Sequence, residues 1–365
     1  MTQQNENLKP QFISSSINYR QYALLIALIF IFVLFSILTD GRLITSMNFN
    51  NLVMQNSYIV ILAIGMLLCL LVGAIDLSVG SVVALVGSLC ALLIVQMKVP
   101  VPLAIIAGFG LGGLIGVFQG FFIAYVKIPA FIVTLAGMLI FRGLSLIMLK
   151  SQTVGPLPSS FITIGAGFFP QVFIELGDQS FDLVTLAAGI IASIVLVVIE
   201  VTNRNRKRKH NLPVPNIWQT GITLAFVIFI LNFITFKLAG HKGMPIVLLI
   251  LVVLVLLYSF FTQKTVAGRY IYAVGGSPEA ARLSGIKNSK VLFWVYVNMG
   301  LLCSLAGIVL AARNASATPR AGDGFELDAI ASCFIGGTST TGGVGTVAGI
   351  VVGALIMGVM NNGMS

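Results

Sequence analysis

Residues Met244–Phe261 have the sequence MPIVLLILVVLVLLYSFF, a run without a charged side chain. A helix rises about 1.5 Å per residue, so a run of this kind crosses most of a hydrocarbon core that is about 30 Å thick. The run is therefore predicted to form a transmembrane helix. Strongly basic stretches lie on both sides of it in the sequence, and they bear on its orientation.

Nine further apolar runs are candidates for the same role. They are Tyr22–Leu38, Ser57–Ile75, Val79–Gln96, Val101–Tyr125, Ile128–Leu149, Phe181–Ile199, Ile217–Phe236, Val291–Ala312 and Val344–Met360. The chain is 58% hydrophobic and 9% charged, whereas a soluble domain carries about 25% charged residues. We expect an all-α fold: a polytopic transmembrane helix bundle of about 10–12 segments, some of them interrupted or half-helices, in one domain over residues 1–365.

Basic residues are concentrated in two segments, which indicate orientation. Segment 201–216 contains Arg204, Arg206, Lys207, Arg208 and Lys209, and segment 264–290 contains Lys264, Arg269, Arg282, Lys287 and Lys290. The positive-inside rule places both in the cytoplasm, and the two spans between them require the same side. Counting crossings back places the N-terminus in the cytoplasm as well. Asp40 and Arg42, not a small-residue cleavage site, follow the first run, so we expect it to remain as a helix.

The formal net charge of +10 does not indicate a nucleic-acid partner, because in a membrane protein the distribution of Lys and Arg matters more than their total. The basic run Arg204–His210 is interpreted as an orientation determinant. Contact with anionic membrane lipid is the alternative.

A polar stretch, Gly268–Ile286, lies within the second basic segment, 264–290, and contains its own helix signals. Its sequence is GRYIYAVGGSPEAARLSGI. Ser277 is a good N-cap, Pro278 suits the first helical position, and Gly285 can close the far end. The pattern predicts a short helix over Pro278–Ser284, a rigid lever of about 10 Å outside the bilayer.

Two apolar stretches are broken by small polar residues. The first break is Gly73–Ser81, and the second is Gly336–Thr346, which follows the short apolar piece Ala329–Ile335. Irregular backbone at membrane depth is tolerated only inside protein or beside a water-filled cavity. We expect both breaks in the bundle interior, and paired interruptions of this kind are typical of transporters.

Asp76 and Arg142 are charges in or beside the apolar runs, and each has two interpretations. Asp76 either caps the helix that starts near Val79 or contacts a solute directly. Arg142 either extends to the membrane surface or pairs with a carboxylate inside the bundle. The run Gly108, Gly110, Gly112, Gly113, Gly116 and Gly120 has the spacing that lets transmembrane helices approach closely.

The sequence contains none of three common catalytic motifs. There is no phosphate-binding loop, zinc-binding helix or nucleophile elbow, and the four cysteines lie singly in apolar runs, where they are expected to pack. We expect no enzymatic activity, no metal site and no cofactor bound by this chain. Uphill transport would therefore need energy from a partner or from an ion gradient.

Five motifs, taken in order, resemble those of one family. They are GAIDLSVGS, KIPAFIVTLAGMLIFRGLSLIML (Lys127–Leu149), the Gly268–Ile286 segment, SATPRAGDGFELDAIASCFIGGTSTTGGVGT (Ser316–Thr346) and NNGMS. Together they resemble the membrane-spanning permease of bacterial monosaccharide ATP-binding-cassette (ABC) importers of the ribose, xylose and multiple-sugar class. The basic 201–216 segment with its flanking spans is more similar to the longer xylose and multiple-sugar permeases.

The resemblance implies a set of partners and a coupling loop. A cytoplasmic ABC ATPase subunit would hydrolyse ATP, an extracytoplasmic sugar-binding protein would deliver the sugar, and a second permease copy would complete the passage in the bacterial cytoplasmic membrane. The family's coupling loop matches segment 264–290 here. The implied ATPase-coupling residues are Gly275, Gly276, Ser277, Pro278, Glu279, Ala280, Ala281, Ser284 and Gly285.

The two breaks are expected to line the translocation pathway. The candidate residues are Asp76, Ser78, Gly336, Gly337, Thr338 and Ser339, whose hydroxyl and backbone groups suit a neutral, hydroxyl-rich sugar. Relatives are expected to continue through one more helix beyond Ser365. An ion-coupled secondary transporter of small polar solutes is the alternative, with Asp76 as its titratable group.

Overall fold

The described part of the fold consists almost entirely of α-helices. The computed structural model describes residues 19–176, 179–210, 214 and 216–364. Its helices are α1 (Tyr19–Leu38), α2 (Ser46–Gln55), α3 (Ser57–Leu71), α4 (Val79–Ala91), α5 (Val101–Ala124), α6 (Ala130–Met148), α7 (Ser159–Ala166), α8 (Leu183–Lys209), α9 (Ile217–Ala239), α10 (Ile246–Lys264), α11 (Val266–Gly276), α12 (Pro278–Leu283), α13 (Asn288–Asn314), α14 (Phe325–Ile335) and α15 (Val347–Gly363). Within the described residues, eight helical segments are long and apolar enough to cross a membrane. The all-α, polytopic prediction is confirmed.

The second span was predicted over Ser57–Ile75, but in the structure it begins and ends earlier, at Ser46 and Leu71. It consists of α2 and α3, which are separated only by Asn56, so Ile75 lies outside the helix. Gly73, at φ +74°, ends α3. The N–H of Gly73 donates to the carbonyl of Leu70, and the next N–H donates to the carbonyl of Cys69, which is the hydrogen-bond pattern of a Schellman stop.

The two predicted runs at the ends of the chain are both helical. Helix α1 (Tyr19–Leu38) contains the first run, and α15 (Val347–Gly363) has the predicted length of the last run but begins three residues later. Helices α1 and α15 pack against each other, and a Cβ on Gly363 would lie 2.4 Å from the ring of Phe35.

Helix α13 forms the centre of the bundle, packed by α3, α4 and α5. The glycines of α5 make this possible, as their spacing predicted. A Cβ on Gly112 would lie 2.5 Å from the carbonyl oxygen of Gly300, and one on Gly116 would lie 2.5 Å from that of Tyr296. By contrast, Gly110 faces open space. The four cysteines are buried, as expected for packing residues.

The segment between α6 and α8 contains structure that the sequence did not predict. Besides α7, it holds a hairpin of β1 (Phe173–Leu176) and β2 (Gln179–Asp182), in which Phe173 pairs with Asp182. Asp182 then caps α8 by accepting from the N–H of Thr185 at 3.0 Å.

Segment 201–216 was expected to be a loop, but α8 continues to Lys209. Four of the cations, Arg206–Lys209, therefore occupy the last turn, where they complement the negative end of the helix dipole. Lys264 lines the same 340 Å³ cavity as Arg204 and Lys207. The structure therefore brings the two basic segments to one end of the bundle, in agreement with the span count.

Candidate coupling and translocation site

The predicted lever helix is present as α12, one residue shorter than expected. The Ser277 hydroxyl oxygen accepts from the N–H of Ala280 at 3.3 Å. At the other end Gly285 has φ +84°; its N–H donates to the Arg282 carbonyl, and the N–H of Ile286 donates to the Ala281 carbonyl. Both ends are thus closed by the residues whose types predicted them.

A second helix, α11, precedes the lever, and the sequence did not predict it. Thr265 caps α11, its hydroxyl oxygen accepting from the N–H of Gly268 at 3.0 Å. The side-chain amide of Asn288, at the start of α13, donates to the Pro278 carbonyl at 2.8 Å. We call α11 and α12 together the coupling unit. It is a braced pair of helices between two membrane spans.

The candidate coupling residues differ in what they present to a partner. Exposed are Gly276, Ser277, Pro278, Glu279, Ala280, Ser284 and Gly285. Ala281 is turned towards the protein and is only 4% exposed, so its small size serves packing within this chain. Leu283 is 84% exposed and was not among the predicted residues. It is the one large apolar side chain in the PEAARL sequence of α12, and that feature could have revealed it.

Gly275 joins the coupling unit to the end of α3, just before the first break, and to the second break. A Cβ at Gly275 would lie 1.6 Å from the carbonyl oxygen of Leu71 and 2.7 Å from the backbone nitrogen of Gly343. That same carbonyl of Leu71 accepts from the N–H of Gly343 at 2.9 Å. The Tyr272 hydroxyl of α11 donates to the carbonyl of Gly345 at 2.7 Å. Three backbone segments therefore converge at one glycine.

The first break is organised by a buried polar chain. The Asp76 carboxylate, 2% exposed, accepts from the backbone N–H and the hydroxyl of Ser78 at 2.8 and 2.7 Å. The Gln119 side-chain amide of α5 donates to the Ser78 hydroxyl oxygen at 2.8 Å. Asp76 thus shapes the turn before α4, while Ser78 occupies the N-cap position itself. Gln119 was missed as a partner because α5 is distant in the sequence.

The second break combines helix packing with an unpaired hydroxyl. Gly336 is packed so tightly that a Cβ there would lie 2.5 Å from the carbonyl oxygen of Gly349. Gly337 takes φ +88°. Thr338 is 4% exposed, and its hydroxyl has no hydrogen-bond partner among the described residues. Ser339 is half-buried, with its hydroxyl 2.9 Å from that of Thr341.

Arg142 points into the protein. It donates to the carbonyls of Pro319 and Ala321 at 2.8 and 2.6 Å and pairs with Asp323. The pairing interpretation is therefore the one that the structure shows. These bonds fasten the turn that leads into α14, so the half-helix is held to α6.

Two interrupted helical regions that meet beside a braced extramembrane unit define a polytopic membrane permease. Residues 48–365 match the family described as "Branched-chain amino acid transport system / permease component", and the chain belongs to that family.

Three relatives show where in the family the chain stands. It is 39% identical to the xylose transport system permease protein XylH of Haemophilus influenzae, over 96% of this chain and 90% of the relative. It is 38% identical to the xylose permease of Escherichia coli K12, over 96% and 86%. The ribose import permease protein RbsC of E. coli K12 is 34% identical, over 93% and 84%. No solved structure matches the chain.

Proposed function

We propose that this chain is the permease subunit of an ABC importer that moves a monosaccharide of the xylose class across the bacterial cytoplasmic membrane. The names of its relatives support the solute class. The contact of Gly275 with Leu71 and Gly343 is the observation that supports the mechanism, because it gives work done on the coupling unit a direct route to the second break and to the end of α3, which leads into the first break.

The orientation follows from the charges. The end that carries the coupling unit and the cations of α8 faces the cytoplasm under the positive-inside rule, and the N-terminus lies on the same side. The opposite end, with the β-hairpin and Asp182, faces outwards and would receive an extracytoplasmic sugar-binding protein.

The energy source is a cytoplasmic ABC ATPase subunit, and this chain itself binds no cofactor. Helix α12 fits a groove of that subunit in the helix-in-groove mode, with Leu283 as its apolar anchor. ATP-driven closure then moves the rigid coupling unit, and Gly275 carries the displacement to Leu71 and Gly343 as a rigid-body motion.

The passage lies beside the two breaks and is completed by a second permease copy. Ser339 and the unpaired Thr338 hydroxyl offer neutral hydrogen-bonding groups, which suit a solute that must also leave. The buried Asp76 already uses its carboxylate on Ser78, so its role is to fix the shape of the first break.

Uptake in liposomes tests this proposal. The full chain is reconstituted with a cognate ABC ATPase subunit and a sugar-binding protein, and labelled xylose and ribose are offered with ATP on the ATPase side. We expect uptake that requires ATP and the binding protein and that survives an ionophore. Uptake that an ion gradient drives without ATP would instead establish the ion-coupled alternative.

A further inference from the structure

A groove of about 670 Å³ opens beside the coupling unit, and neither the mechanism nor the comparisons account for it. Its floor is Leu68 of α3, and Phe261 of α10 forms one wall. The other wall is α13, through Val291, Trp294, Asn298 and Leu301. Ala267 and Tyr270 of α11 and the residues Gly285–Lys287 close the end next to α12. The groove therefore lies where the bundle meets the coupling unit.

The groove is bordered by exposed apolar side chains. Helix α13 is mostly buried, yet Trp294 and Leu301 are 56% and 39% exposed, and with Asn298 they follow helical spacing along one stripe. On the neighbouring α10, Leu257 and Phe260 are also exposed. An apolar stripe of this kind is suited to an acyl chain.

Positive charge is confined to one end of the groove. Lys287 and Lys290 line it next to the start of α13, whose N-terminal dipole also attracts negative charge. Trp294, one turn further along, is the residue type that prefers the boundary between headgroups and hydrocarbon. Asn298 lies deeper: its side-chain oxygen accepts from the Tyr258 hydroxyl, while its amide nitrogen has no partner among the described residues.

We propose that this groove binds an anionic phospholipid of the inner leaflet, with the phosphate between Lys287 and Lys290 and one acyl chain along Val291, Trp294 and Leu301. A second copy of this chain fits less well, because a two-fold interface uses the same surface on both copies, and the groove lining has no Asp or Glu to pair with Lys287 and Lys290. Since Gly285 and Ile286 also line the groove, the bound lipid braces the coupling unit against α13. The binding itself does not depend on which solute the permease moves.

The chain contains two tryptophans, so Trp218→Phe leaves Trp294 as a single fluorescent reporter in the groove. The full chain with this substitution is reconstituted in vesicles that contain phosphatidylglycerol or phosphatidylcholine brominated on the acyl chains. We expect the brominated phosphatidylglycerol to quench Trp294 with an apparent affinity at least about fivefold higher, because each lysine near the surface attracts an anionic lipid by about that factor.

Lys287→Gln with Lys290→Gln should bring this preference close to one. Arg208→Gln with Lys209→Gln removes the same charge from exposed positions of α8 outside the groove, and this matched control should keep the preference. Ala267→Phe keeps both lysines but narrows the groove, and it should weaken quenching by either lipid.

Three results would overturn the proposal. One is equal quenching by the two lipids, which means ordinary boundary lipid. Another is equal loss of preference in both charge variants, which means general surface attraction. The third is absence of quenching by either lipid, which means that protein, such as a second copy, covers the groove.

Discussion

The guanidinium of Arg142 lies 2.6 Å from the carboxylate of Asp323, and this pair joins α6 to the turn that precedes α14. The two partners are unequal, because the Arg142 side chain is 18% exposed whereas that of Asp323 is 64% exposed. An exposed ion pair alone contributes little. The bonds from Arg142 to the carbonyls of Pro319 and Ala321 therefore carry most of the stabilisation.

Arg142→Gln is expected to lower the free energy of unfolding by about 2 kcal/mol, because hydrogen bonds to a charged group are lost and two carbonyls are left without this donor. Asp323→Asn should cost less than about 1 kcal/mol. Thermal unfolding of the detergent-solubilised protein measures both. Arg320→Gln, at an exposed neighbouring position, is the control; an effect of Asp323→Asn as large as that of Arg142→Gln would contradict the argument.

Gly275→Ala should abolish ATP-driven uptake, because its Cβ would collide with the Leu71 carbonyl and separate the coupling unit from the breaks. The adjacent Gly276 has nothing within 4 Å of a built Cβ, so Gly276→Ala should retain at least about half of the uptake, as surface substitutions usually do. Both variants are compared in the liposome assay after their amounts in the membrane have been matched. Equal losses would show that the close approach at Gly275 is not the transmitting contact.

Leu283→Asp should reduce co-purification of the ATPase subunit at least about tenfold, the effect of removing a central apolar anchor from an interface. The unfolding temperature of the isolated permease should not change, since Leu283 is 84% exposed and contributes little to the folded chain. Leu283→Met, which keeps an apolar side chain, is the control. Unimpaired co-purification of the aspartate variant would remove Leu283 from the docking surface.

Asp182→Ala should lower the free energy of unfolding by about 1–2 kcal/mol at neutral pH, the usual cost of losing an N-cap. Burial acts to raise the pKa of Asp182, but hydrogen bonds from the Thr185 hydroxyl and from the N–H groups of Val172, Thr185 and Val184 outweigh it and hold the pKa below its usual value. A depressed folded-state pKa means that the stabilisation is fully present above about pH 4 and is lost as the pH falls through the folded-state value.

The difference in unfolding temperature between wild type and Asp182→Ala should therefore be constant from pH 7 to about pH 5 and should shrink below about pH 4. Glu175→Ala, which removes an exposed carboxylate from the same hairpin, is the matched control and should change the unfolding temperature little at pH 7, as surface substitutions usually do. A gap that widens in acid would contradict the assigned cap.

Local signals in the sequence predicted the features that depend on neighbouring residues. The apolar runs gave the spans, because hydropathy and length suffice where no water can satisfy an open backbone. Ser277, Pro278 and Gly285 gave α12 to within one residue, because its caps are bonds between residues at most five apart. The charges of segments 201–216 and 264–290 placed both at one end.

Local sequence signals could not predict contacts between segments that are distant in the chain. The sequence left Arg142 with two interpretations, since nothing near it shows that Pro319 and Ala321 lie within reach. The contacts of Gly275 in α11 with Leu71 and Gly343 were missed because those residues are far away in the chain.

The sequence by itself therefore determined that this protein is a bundle of membrane helices with a capped lever at its basic end, since hydropathy, caps and charge act locally. Only the tertiary structure decided which face of the lever is free, with Leu283 outwards and Ala281 inwards. It alone also decided that Gly275 meets the end of α3 and the second break. The physical reason is that burial and close backbone approach are properties of packed surfaces, which depend on where several distant segments meet.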